Sequence, residues 1–112
     1  MIKNIEKLIE AKQNEYFELS DRIWDIAEVK FHEQESAKTI IAFLEKEGFN
    51  VETNIGEIDT AFIGTYGDKG PIIGFLGEYD ALPELNQKAG ATTKEADPSL
   101  GTTNGHGCGH NL

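Results

Sequence analysis

Apolar residues recur at helical spacing through the first quarter of the chain. Ile2, Ile5, Leu8, Ile9, Tyr16, Leu19, Ile23, Ile26 and Ala27 fall on one stripe, which predicts a long amphipathic helix over residues 1–29 with a candidate bend near Ser20. Phe31 and His32 interrupt the pattern. Ala37, Ile40, Ile41 and Leu44 form a second stripe, predicting a helix over 33–47 closed by Gly48 in a left-handed conformation. The pattern then changes period. Residues 49–53 alternate and read as a strand, 60–66 as another, and Gly67-Asp68-Lys69-Gly70-Pro71 as a turn. Ile72 to Leu76 is a short continuous apolar run, which suits a strand buried on both faces. Residues 85–104 turn to Gly, Thr, Asn, Lys and Ala and read as a long loop, a type that tends to be functional or mobile. The predicted fold is α/β, with two N-terminal helices packed on a small mixed sheet, and residues 1–112 are expected to form the N-terminal portion of a single domain.

Composition narrows the function classes. A chain of 112 residues holds one small domain. Asp+Glu number 20 against 10 Lys+Arg, a formal charge of −10. That balance excludes a basic nucleic-acid footprint and argues against docking on an anionic membrane. Its plain consequence is solubility. The run from Pro71 to Leu76 is too short to span a bilayer. The first residues alternate charged and apolar positions and match neither a signal peptide nor an anchor. The single cysteine leaves no internal disulfide, so a reducing, cytoplasmic setting is expected.

Candidate chemistry concentrates in Gly105-His106-Gly107-Cys108-Gly109-His110-Asn111-Leu112. Cysteine and histidine at i, i+2 on a loop can turn toward one point, where thiolate and imidazole make a partial site for zinc or a similar ion. Glycine at every second position allows positive φ and close approach of the backbone. Two other readings stay open on spacing alone. Cys108 can be a small buried hydrophobe beside an unrelated loop histidine. A Cys–His nucleophile pair is also open, although such pairs normally join residues distant in sequence.

A second group, Gly77-Glu78-Tyr79-Asp80-Ala81-Leu82-Pro83, follows the apolar run. Carboxylates at the end of a buried strand lie where open α/β sheets bind ligands. Glu78 and Asp80 point the same way if the strand continues, and one of them can hold a histidine ligand in the right tautomer. The plain alternative is a polar strand end at a turn. His106 is a third candidate ligand, though a histidine in a glycine loop is expected to be solvated. His32 is expected to be structural, and Trp24 and Tyr16 to serve the core or an interface. A phosphate-loop reading of the glycines fails for want of a lysine.

The motifs GEYDALPEL and GHGCGHNL, with TAFIGTYGDKGPIIGFL before them, resemble the M20 family of metallopeptidases and amidohydrolases. The resemblance is to the branch of the aminobenzoyl-glutamate hydrolases and related dipeptidases. It covers essentially the whole chain. It implies that Cys108 and His110 are ligands of a divalent metal, Zn or Mn. It implies that Asp80 orients a ligand, with His110 the candidate. Glu78 stands where other branches place a metal-binding histidine, and that role is not carried over to it. The role of His106 stays open, and Asn111 stands where many relatives have aspartate.

The resemblance also implies the N-terminal part of a zinc-peptidase-like catalytic domain, because the family's catalytic glutamate and remaining ligands lie beyond Leu112. The expected parent activity is metal-dependent hydrolysis of an amide bond in a small N-acyl amino acid, aminobenzoyl-glutamate-like or dipeptide substrate. A homo-oligomer or a partner of a different chain is expected for the parent. The isolated chain is expected to be inactive. The alternative is a non-catalytic metal-binding or interaction fragment.

Overall fold

The computed structural model describes residues 2–112. Helix α1 spans Ile2–Ile26 without a break through Ser20, and helix α2 spans Gln34–Lys46. α1 stops where Ala27 takes φ +44° while its N–H still donates to the Ile23 carbonyl at 3.1 Å. Ile23 and Ala27 are both buried. The first two free N–H groups of α2 find an acceptor from outside the helix. The Glu28 carboxylate accepts from the Glu35 N–H at 3.1 Å and the Ser36 N–H at 2.8 Å. A negative charge there also favours the helix dipole. Gly48 ends α2 at φ +89°, with Gly48 N donating to Glu45 O and Phe49 N to Leu44 O, as the sequence led us to expect.

The two helices are joined by ion pairs from Lys12 to Glu47 and from Lys46 to Glu15. Tyr16 stacks on Phe43 with ring centroids 5.9 Å apart. Strands β1 (Asn50–Thr53) and β2 (Phe62–Thr65) pair antiparallel, with Asn50 opposite Thr65 and Thr53 opposite Phe62. α2 lies close over this hairpin. A Cβ on Gly64 would stand 3.2 Å from a Leu44 methyl and 3.4 Å from the Phe49 ring.

Two expectations are corrected. The sheet is a two-stranded antiparallel hairpin, not a mixed sheet. The one parallel pairing among the described residues is an isolated bridge from Val29 to Ala81. The run Ile72 to Leu76 is not a buried strand. Ile72 is 100%, Phe75 95% and Leu76 98% exposed. The physical reason lies in the edges. A strand buried on both faces needs hydrogen-bonded neighbours and cover, and no described residue offers residues 71–76 a backbone partner. The apolar half-turns of α1 around Ile2, Leu8 and Ile9 are likewise uncovered. The buried apolar core is accordingly thin: Ile23, Ala27, Ala37 and Ala81.

The stretch read as a plain loop carries its own order. Asn86 is its staple. Its amide donates to the carbonyls of Asp97 and Thr102 and its carbonyl oxygen accepts from the Asp97 N–H. Gln87 repeats the pattern one residue on, with Thr93 and Glu95. A short 3₁₀ turn, Pro98–Leu100, is capped by the Asp97 carboxylate.

Candidate metal centre

The site is built on the segment from Glu78 to Leu82. Tyr79 anchors it from below. Its hydroxyl donates to the Thr60 carbonyl, its ring lies 5.7 Å from that of Phe62, and the Thr60 hydroxyl donates to the buried Glu33 carboxylate at 2.9 Å. Burial, reinforced by the Glu33 charge, raises the Tyr79 phenol above its ordinary value. With Tyr79 turned inward, alternation along an extended backbone turns Glu78 and Asp80 outward together. Ala81 N donates to Glu28 O at 2.7 Å, which docks the segment on the end of α1.

The glycine loop is then laid against this segment. Leu82 and Gly105 exchange two backbone hydrogen bonds, of 2.9 and 3.0 Å. The glycines serve close approach more than unusual φ. A Cβ on Gly105 would stand 2.0 Å from the Leu85 carbonyl oxygen, and one on Gly107 2.5 Å from a Leu85 methyl. Of the three, Gly109 takes positive φ, +76°. Asn111 closes the loop by donating to the Ser20 hydroxyl of α1 at 3.0 Å.

The structure brings Asp80 and His110 together. Nδ1 of His110 lies 2.8 Å from Asp80 Oδ1. The ionised carboxylate can only accept, so Nδ1 is the donor. A carboxylate on the far nitrogen of a ring fixes the tautomer that leaves Nε2 as a ligand atom. Glu78 also joins the group, with Oε2 3.1 Å from Nε2. Cys108 is exposed on the loop between Gly107 and Gly109. Among the described residues no three His, Cys, Asp or Glu side chains gather around one point. Of the candidate donors, the structure brings Asp80 and Glu78 to the two ring nitrogens of His110 and leaves the Cys108 thiol exposed on the loop.

His106 departs from expectation. It is 5% exposed, not solvated. Its Nε2 donates to the Ile23 carbonyl at 2.9 Å, and its ring lies 6.4 Å from that of Trp24. Nδ1 has no partner, and burial lowers the imidazole below its ordinary value. The ring thus ties the glycine loop to the last turn of α1. Trp24 was expected to serve the core or an interface, and nothing local in the sequence pairs it with a residue more than eighty positions away.

No family model matches the chain. Over 110 residues it is 46% identical to the B subunit of p-aminobenzoyl-glutamate hydrolase from Escherichia coli (strain K12). The chain is similar to that protein along nearly all of its own length. The alignment takes in 96% of this chain and 22% of the relative, so the chain spans about a fifth of the length of the curated protein it matches. The likeness read from the two motifs thus extends over nearly every residue, including the helices and the hairpin that position them. The relative is by its name one component of a hydrolase. No described helix is long and apolar enough to cross a membrane.

Proposed function

We propose that this chain carries part of the metal centre of an amidohydrolase acting on a small N-acyl amino acid, of which aminobenzoyl-glutamate is the model substrate. The single observation supporting it is the 2.8 Å hydrogen bond from His110 Nδ1 to Asp80, because that contact prepares Nε2 to bind a metal. Cys108 and His110 hold the ion, Zn or Mn, and Asp80 holds His110. Such an ion supplies Lewis acidity toward an amide carbonyl and toward water. The backbone bridge between Leu82 and Gly105 fixes the distance between the two motifs. His106 and Asn111 pin the loop to α1 from either side of Cys108. The general base and the remaining ligands of a complete site are assigned to the rest of the parent protein, and the parent is assigned a partner of a different chain.

The test uses the longest reading frame that contains this sequence. Its hydrolysis of p-aminobenzoyl-glutamate is followed before and after chelation, and after return of Zn²⁺ or Mn²⁺. Activity lost on chelation and regained with metal in the parent, but not in Cys108→Ala, is the expected result. Hydrolysis indifferent to the chelator overturns the metal assignment. Absence of hydrolysis, with metal still bound through Cys108, favours the reading of a non-catalytic metal-binding module.

A further inference from the structure

The turn between α1 and α2 is built around two carboxylates and two strained residues. Ala27 takes φ +44° and Phe31 φ +65°, conformations that an L side chain resists and that persist only where the surroundings fix them. Glu28 follows the first of these and Glu33 lies just past the second. Glu33 is 8% exposed, and among the described residues neither acid pairs with a lysine or arginine. Burying a carboxylate without a counter-ion is costly unless hydrogen bonds replace the lost hydration. The bonds made by these two residues lead to one place. Glu33 accepts from the Thr60 hydroxyl at 2.9 Å, and the Thr60 carbonyl accepts from the Tyr79 hydroxyl. The Glu28 carboxylate accepts from the Glu35 and Ser36 amides at the start of α2, while its backbone carbonyl accepts from the Ala81 N–H at 2.7 Å. Tyr79 and Ala81 are the two chain neighbours of Asp80.

We propose that Glu28 and Glu33 are the positioning residues of Asp80: one turn holds the residue before it and the residue after it, and so sets its carboxylate against the His110 ring. The proposal rests on the reading that Asp80 orients His110, and it adds to that reading two acids to which sequence reasoning gave no role. The two arms differ in kind. Through Thr60, the Glu33 arm fixes the Tyr79 ring inward, and alternation along the backbone then turns Asp80 outward. The Glu28 arm fixes the turn. Its side chain ties the turn to the first amides of α2, which aims its own carbonyl at Ala81 and sets Val29 beside Ala81 in a parallel bridge. Removing the Glu28 side chain therefore acts on Ala81 indirectly, since the carbonyl that Ala81 uses is still present. Burial, and after it the Glu33 and Glu28 charges, raise the Tyr79 phenol, so its titration reports on both acids.

The experiment is residue-resolved amide exchange by NMR on the 112-residue chain. It is run in metal-free buffer, so its outcome does not depend on whether Cys108 and His110 hold an ion. Expected in Glu28→Ala and Glu33→Leu is exchange about tenfold faster at the Ala81 and Leu82 amides, with the amides in the middle of α1 unchanged. Nuclear Overhauser contacts between the His110 ring and Asp80 weaken in the same variants. Glu33→Gln, whose amide oxygen still accepts from Thr60, keeps the parent exchange at those sites while the Tyr79 phenol titrates lower. Acceleration spread evenly over α1, the hairpin and the site overturns the proposal, because the two acids then serve overall stability alone. Parent exchange at Ala81 and Leu82 in both variants also overturns it. So do His110–Asp80 contacts that persist while Ala81 and Leu82 open, since the acids then hold the segment and not Asp80. If Glu33→Leu does not fold, Thr60→Val keeps the acid and deletes one hydroxyl, and the same outcomes decide, with Thr60→Ser restoring the parent. A parent chain without the His110–Asp80 contact overturns the Asp80 reading as well.

Discussion

Adding a single methyl group at Gly105 is expected to open the site. The Cβ of Gly105→Ala would lie 2.0 Å from the Leu85 carbonyl oxygen, 2.5 Å from its carbon and 2.9 Å from the Asn86 nitrogen. All three are backbone atoms, and none can rotate away as a side chain can. The loop must therefore back off, and it loses its two hydrogen bonds to Leu82. Each is worth about 0.5–1.5 kcal/mol net, so the pair is worth about 1–3 kcal/mol. A chain of this length is held by a total of about 6–17 kcal/mol, and the thin core argues for the low end. The expected result is a fall of about 2 kcal/mol in urea unfolding followed by circular dichroism, together with weaker metal binding, because Cys108 and His110 move with the loop. Gly77→Ala is the control. Nothing lies within 4 Å of its Cβ, and its effect is expected to stay within about 0.5 kcal/mol. Equal unfolding midpoints for the two variants would refute the close-approach argument.

Asp80→Asn is expected to fold normally and to bind metal roughly 10–100-fold more weakly, with excess metal restoring occupancy; a calorimetric titration matching the parent would remove Asp80 from its orienting role. Tyr79 has a raised pKa in the folded chain, so its contribution to stability is complete below the ordinary phenol value of about 10 and is lost as the pH rises through the folded one. Tyr79→Phe should therefore lose less stability than the parent between neutral and strongly alkaline pH, and an identical alkaline decline would contradict the burial account. The uncovered apolar side chains of Ile72, Phe75 and Leu76 should make the chain self-associate despite its charge of −10, with Phe75→Lys shifting sedimentation toward the monomer; a parent chain that sediments as a monomer at all concentrations would count against this.

Where a pattern was local, it was legible. The stripe from Ile2 to Ala27 and that from Ala37 to Leu44 gave both helices, with ends displaced by one to three residues. Gly48 gave the C-cap. Alternation gave the hairpin strands, shortened at their ends. What failed depended on distant residues. Ile72 to Leu76 carries the composition of a buried strand, but burial is a property of neighbours, and the described residues supply none. His106 carries the composition of a loop residue, yet the Ile23 carbonyl and Trp24 enclose it. The staple role of Asn86 was hidden for the same reason, because its three hydrogen bonds reach eleven and sixteen residues along the chain.

The same contrast explains why the orientation of His110 does not depend on the unpaired segment before it. Three attachments fix the loop from outside that segment: the Gly105 bridge to Leu82, the His106 hydrogen bond to Ile23, and the Asn111 hydrogen bond to Ser20. Two of these end on α1, the longest helix of the chain. Asp80 is fixed separately, through Ala81 on Glu28 and through Tyr79 on Thr60. A displacement of residues 71–76 therefore passes through Gly77, whose Cβ position is open space, before it reaches any atom that holds the imidazole. The orienting half of the site is set by α1 and its following turn.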